Sequence, residues 1–189
     1  MATQTLLTRS LKEHLESAQA LLDSKLPEIE LTGQMICQTL QAGNKILICG
    51  NGGSAADAQH IAAELVGRYE QTRRAYPAIA LTTDTSALTA LSNDYGYEEV
   101  FSRQVQALAV QGDLLIAIST SGQSPNVIRA ALKARELGCK VIALTGSEGG
   151  SLSSLCDLTL NVPSTRTARV QELHITIGHL WCEMVDAMR

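Results

Sequence analysis

The sequence predicts a doubly wound α/β fold: a five-stranded parallel sheet in the order 2-1-3-4-5, helices on both faces, two extra N-terminal helices and a long C-terminal helix. Three observations carry that prediction. Short apolar runs recur without polar alternation, as strands buried on both faces require. Helix-length periodic stretches separate them, which calls for parallel crossovers. The composition is 45% hydrophobic but only 3% aromatic, so the core must be layered from Ala, Leu, Ile and Val.

From about Leu6 to Leu22 the chain places Leu7, Leu11, Leu15, Ala18 and Leu22 at helical spacing, and a second periodic stretch runs from about Pro27 to Ala42. Gly43-Asn44 ends it. "KILIC" (45–49) is the first strand, "YPAIALTT" holds the second, and a helix follows from Asp84 to about Leu91. "SNDYG" reads as a turn before a helix from about Glu98 to Ala109. "DLLIAIST" (113–120) is the third strand, followed by a polar loop and a helix to Leu137 that Gly138 terminates. "KVIALT" and "LTLNVP" complete the sheet, and one long helix runs from about Thr165 to Met188.

A chain of 189 residues fits one domain, 1–189, in which about the first 43 residues form a helical pair available for assembly. The net charge of -4 and the lack of any dense Lys or Arg run exclude an electrostatic footprint for nucleic acid or an anionic membrane. No stretch approaches the ~18 apolar residues of a membrane span. Five widely spaced cysteines without a C-x-x-C pair read as buried thiols in a reducing cytoplasm.

The turn after the first strand, Gly50-Asn51-Gly52-Gly53-Ser54-Ala55, formally satisfies the G-x-G-x-x-A dinucleotide fingerprint. That fingerprint also needs an acidic residue ~20 positions on, at the end of the second strand. Glu70 has the spacing but precedes the strand, and Asp84 lies beyond it, so a dinucleotide role is disfavoured. The glycines still admit a ligand to the backbone, and a helix N-terminus offers N–H groups to an anion. The plainer reading is a tight turn capped by Ser54.

The loop Ser119-Thr120-Ser121-Gly122-Gln123-Ser124 weighs against that plainer reading. In the 2-1-3-4-5 order the loops after strands one and three flank the crevice where the winding reverses, the usual ligand site of an open α/β sheet. Together they indicate a small anionic ligand.

His60 and Glu64, at i and i+4, share a helix face. They are a hydrogen-bonded pair, or a base with a metal ligand, or two ligands. The last helix carries "VQELHITIGH", with Gln171, Glu172, His174 and His179. Gln171 and His179 stand ~12 Å apart along the axis and ~80° around it. Either both lean inward from opposite ends, or a neighbouring subunit completes the site.

Through "CGNGGSAADAQHIAAEL", "YPAIAL", "SNDYGYEEVFSRQ", "GDLLIAISTSGQSPNV", "ALTG" and "RVQELHITIGH" the chain resembles the sugar isomerase (SIS) domain family, and within it the bacterial phosphoheptose isomerases, over almost its whole length. The resemblance implies interconversion of sedoheptulose 7-phosphate and D-glycero-D-manno-heptose 7-phosphate, toward the heptose of the lipopolysaccharide core. It implies Glu64 as general base and His179 as its acid partner. It implies one Zn²⁺ per subunit on His60, Glu64, Gln171 and His179, and sugar-phosphate contacts from Asn51, Gly52, Gly53, Glu64, Asn93, Asp94, Ser119, Thr120, Ser121, Ser124 and Gln171. A cytoplasmic homotetramer with active sites at subunit interfaces is the expected assembly.

The chain departs from some members at Ala168, where they carry an acidic residue. A relative of the same fold is non-catalytic and binds the replication initiator DnaA, which makes a binding protein the alternative. That relative is expected to lack the counterparts of Glu64 and His179, and both are present here.

Overall fold

A computed structural model describes residues 2–188. Five strands, β1 (Ile46–Gly50), β2 (Ala78–Ala80), β3 (Leu114–Ser119), β4 (Lys140–Thr145) and β5 (Leu158–Asn161), form one sheet in the order β2-β1-β3-β4-β5, every pair parallel. The register sets Ile46 opposite Leu114 and Gly50 opposite Ile118, so β1 and β3 end level with each other at the rim where the winding reverses. β1 and β3 are buried at every position, which is why their sequences show no alternation.

Successive residues nevertheless serve different layers. Ile46, Ile48, Leu114, Ile116 and Ile118 face a core built with α1 (Ala2–Gln41), α2 (Gly53–Val66) and α7 (Thr167–Asp186). Leu47, Cys49, Leu115 and Ala117 face the other, built with α4 (Val100–Leu108) and α5 (Pro125–Glu136), against which α3 (Thr85–Tyr95) adds Leu88 and Leu91. Trp181 and Tyr76 lie in the first layer and Phe101 in the second; mostly aliphatic side chains fill the rest.

The N-terminal pair of helices expected from the sequence is one helix of 40 residues, α1, with Pro27 inside it. A proline in a helix interior removes one hydrogen bond and crowds the preceding turn, at a cost of about 3 kcal/mol. Packing against α7 on both sides of the proline offsets that cost: Leu21 before it and Ile29 and Ile36 after it are buried, and Trp181 Nε1 donates to Thr32 Oγ1 at 3.0 Å. The leucine stripe that announced the helix does not face this core. Leu7, Leu11, Leu15 and Leu22 are all more than half exposed.

Two smaller differences concern loops. "SNDYG" is the last turn of α3, which begins at the Asp84 cap and closes where Gly96, at φ 89°, returns its N–H to Ser92. A single turn, α6 (Gly150–Ser153), lies in the connection after β4. Among the described residues no helix is long and apolar enough to cross a membrane, and all five cysteines are free thiols.

Candidate active site

The turn after β1 is shaped by backbone alone. Gly52, at φ 56°, is the N-cap of α2 and makes no side-chain cap; the cap expected of Ser54 is absent, because Ser54 is buried within the first turn. The N–H groups of Ser54, Ala55 and Ala56 turn back onto the carbonyls of Asn51 and Gly52. The face this turn offers to a ligand is therefore Gly52 and Gly53, both exposed.

Asn51 ties the two rim loops together. It exchanges paired carboxamide hydrogen bonds with buried Asn126, at 2.9 and 2.8 Å, and accepts one from the Tyr97 hydroxyl at 3.0 Å. A hollow of about 290 Å³ lies beside this junction, lined by Asn51, Tyr97, Glu98, Ser124, Pro125 and Asn126. Neither Asn126 nor Tyr97 was singled out in the sequence, where nothing distinguishes them from an ordinary helix start and an ordinary turn aromatic.

In the second loop Ser119 and Ser124 meet, Oγ to Oγ, at 3.0 Å, while Ser121 accepts from the Gln123 N–H and keeps its hydroxyl exposed. Gly122 is required twice over, because it sits at φ 64° and because a Cβ there would strike the carbonyl of Gly149; its own carbonyl accepts from Leu152 at 3.0 Å. The loop is thus braced on the β4 connection. A cavity of about 260 Å³ opens between them, lined by Thr120, Ser121, Gln123, Ser147, Ser164 and Thr167 among others.

Helices α2 and α7 lie side by side and run the same way. At their beginnings Gln171 rests on Gly53 and donates from Nε2 to Asp57 at 2.6 Å; further along, Gly178 lets Ile61 approach to 2.7 Å of where a Cβ would stand. Next to that contact His60 Nε2 and His179 Nε2 meet at 3.0 Å, and Glu64 Oε1 lies 3.5 Å from His60 Nε2. Tyr69 stacks on His179, ring centroids 5.4 Å apart and planes 29° apart. The structure therefore brings together His60, Glu64 and His179. Gln171 sits with Asp57 at the rim end of the same helix pair.

Asp57 escaped notice in the sequence, although three residues before His60 is the spacing that shares its helix face. It is buried, and burial pushes its carboxyl up to about 6, against the opposing pull of the Gln171 hydrogen bond and the nearby His60. One of its oxygens has no partner. His174, by contrast, belongs to the core: burial pushes it down to about 4, and Nε2 donates to the Thr145 carbonyl at 3.1 Å. Asn93 and Asp94 are exposed at the end of α3 and bond to each other at 2.9 Å. Glu172 joins Arg169 and His14 in a network that links α7 to α1, and Ala168 is exposed at the start of α7.

Two imidazole nitrogens and a carboxylate oxygen form a donor set suited to zinc, and nitrogens sharing a tetrahedral Zn²⁺ stand about 3.3 Å apart. The chemistry of the pair fits. Among the described residues no group of three or more His, Cys, Asp or Glu is placed so that it could hold a metal ion as it stands, and Gln171 is turned to Asp57.

Residues 11–146 match the SIS domain family. The chain is similar to a phosphoheptose isomerase of Aliarcobacter butzleri, 58% identical over 92% of each chain. Its fold is similar to that of a phosphoheptose isomerase from Neisseria gonorrhoeae, with a TM-score of 0.94 at 46% identity, covering 98% of this chain and 100% of that one. A phosphoheptose isomerase from Francisella tularensis gives 0.96 at 36% identity, covering all of both chains.

Proposed function

Because the chain belongs to the SIS domain family and its relatives are phosphoheptose isomerases, we propose that it interconverts sedoheptulose 7-phosphate and D-glycero-D-manno-heptose 7-phosphate. The observation that carries this reading is the meeting of Glu64 and His60, on the helix α2 that follows the glycine turn after β1, with His179 on α7. The relatives' isomerase names and the presence of both Glu64 and His179 support an enzyme over a protein that binds DnaA.

Aldose–ketose exchange needs a base for a carbon-bound proton and a second group to move protons between oxygens. In the direction from the ketose, the Glu64 carboxylate takes a proton from C1 as the C2 oxygen gains one, giving the enediol. Glu64 returns its proton to C2 as the C1 hydroxyl gives one up. His179 serves the oxygens. The hydroxyls of Ser119, Thr120, Ser121 and Ser124 and the exposed backbone at Gly52 and Gly53 take the phosphate and its neighbouring atoms, with Asn51 bridging the two loops. Asn93, Asp94 and Gln171 extend the substrate set.

His60, Glu64, His179 and, after release from Asp57, Gln171 would hold Zn²⁺. When bound, zinc supplies electrostatic stabilisation to the developing oxyanion. The exposed leucine stripe of α1 supports a homotetramer with its sites at subunit interfaces. A cytoplasmic enzyme on the route to lipopolysaccharide heptose completes the reading. The test is an assay of folded protein with the heptulose phosphate, with and without chelator. Aldose formation that chelation slows and zinc restores is the expected result; no turnover in zinc-supplemented buffer would overturn the reading.

A further inference from the structure

The segment joining α2 to β2 is clasped to the far end of α7. One oxygen of Asp186 accepts the backbone N–H groups of Glu70 and Gln71, both at 2.8 Å, and the other accepts from Arg73 Nε at 2.7 Å. The Arg73 guanidinium continues onto α2, donating to the carbonyls of Glu64 at 2.8 Å and Leu65 at 2.9 Å, which lie in the turn where a helix leaves acceptors unpaired. Both charged side chains are withdrawn from water, Asp186 being 4% and Arg73 10% exposed. Burying an ion pair this far rarely adds stability by itself. A specified geometry is what it provides.

The residue held by that geometry is Tyr69. It directly precedes the two N–H groups that Asp186 grips, and its ring lies on the imidazole of His179, about two turns before Asp186 on the same helix. α7 thus reaches back through the clasp to cover its own histidine. A ring lying on a ring restrains the imidazole plane and leaves both nitrogens free. That suits a group whose Nε2 must keep its aim at His60, which in turn faces Glu64.

We propose that Tyr69 is a positioning residue for His179, held in place by the Asp186–Arg73 clasp. The assignment rests on His179 serving the isomerase site. It adds a residue that touches neither the sugar nor the phosphate, and the needed feature is the ring and not its hydroxyl.

The experiment compares Tyr69→Phe, Tyr69→Leu and Asp186→Asn with the wild type in two ways. Steady-state kinetics with the heptulose phosphate separates kcat from KM. NMR of histidine-labelled protein reads the ring resonances of His179, identified with His179→Gln, and uses those of buried His174 on the same helix as internal control. Tyr69→Phe should stay within about twofold of wild type, while Tyr69→Leu and Asp186→Asn lower kcat about tenfold or more with KM little changed, as lost support of a site group does. Both damaging variants should shift His179 and leave His174 in place. Unchanged kcat and unchanged His179 resonances in Tyr69→Leu would overturn the proposal. So would equal damage from Tyr69→Phe, or His174 moving together with His179. An inactive wild type would sink the isomerase reading alone, and the resonances would still decide whether Tyr69 holds the ring.

Discussion

His60 and His179 bring their Nε2 atoms to 3.0 Å although 119 residues separate them in the chain. One nitrogen must donate and the other accept, or both must point lone pairs at a shared cation. Gly178 leaves room for the neighbouring contact, because a side chain there would meet the buried Ile61 side chain and force a shift beside the histidines.

Glu64→Gln keeps the shape of the side chain and removes its basicity. Turnover of the heptulose phosphate should fall about 10²-fold or more, with the protein still binding inorganic phosphate as the wild type does. Retained turnover would take Glu64 out of the base role. His179→Gln should lower kcat by a similar factor.

Gly122→Ala probes the bracing of the serine loop. The new methyl meets the Gly149 carbonyl and the backbone sits at φ 64°, so stability should drop by about 2–4 kcal/mol in urea unfolding. KM for the sugar phosphate should rise as well. A stable variant with unchanged KM would show that the loop tolerates other shapes.

His174 sets part of the acid limb of stability. Its ordinary value is 6.5 and the folded protein holds it near 4, so between those values the unfolded chain binds a proton that the native one refuses. Stability is therefore present above pH 6.5 and is lost as pH falls toward 4, by about 3 kcal/mol from this group. His174→Gln, which can still donate to Thr145, should show a shallower fall over that window than the wild type when unfolding is measured at several pH values.

The exposed stripe on α1 tests the assembly. Leu11→Glu with Leu15→Glu places charges at two positions each 66% exposed in the single chain, so circular dichroism should be unaltered. The mass in light scattering should fall below that of the wild-type assembly, and activity with it. An unchanged mass would remove this stripe from the interface.

The sheet could be read from the sequence because "KILIC" and "DLLIAIST" are buried on both faces, leaving an apolar signature that needs no tertiary context. The two rim loops followed from their position after β1 and β3. Pro27 could not be read as a helix interior: local propensity opposes it, and only the packing of α1 along α7 decides the matter. The separation of Gln171 from His179 leaves two arrangements open in the sequence, both side chains leaning inward from opposite ends or a neighbouring subunit completing the site, because the partner helix cannot be read from spacing on one helix. α2 presents a matching series, Gly53 and Asp57 to Gln171 and His60 to His179. Asp57 was hidden for a different reason, since an acid near a helix start is ordinary and only its burial makes it unusual.

Trp181 is the chain's sole tryptophan, and it lies under α1, its indole N–H on Thr32 and its edge against Gly33. Its fluorescence is consequently a native reporter of whether that long helix is seated. Emission that shifts to the red before helical signal is lost would reveal α1 lifting away as a unit, without any label attached to the protein.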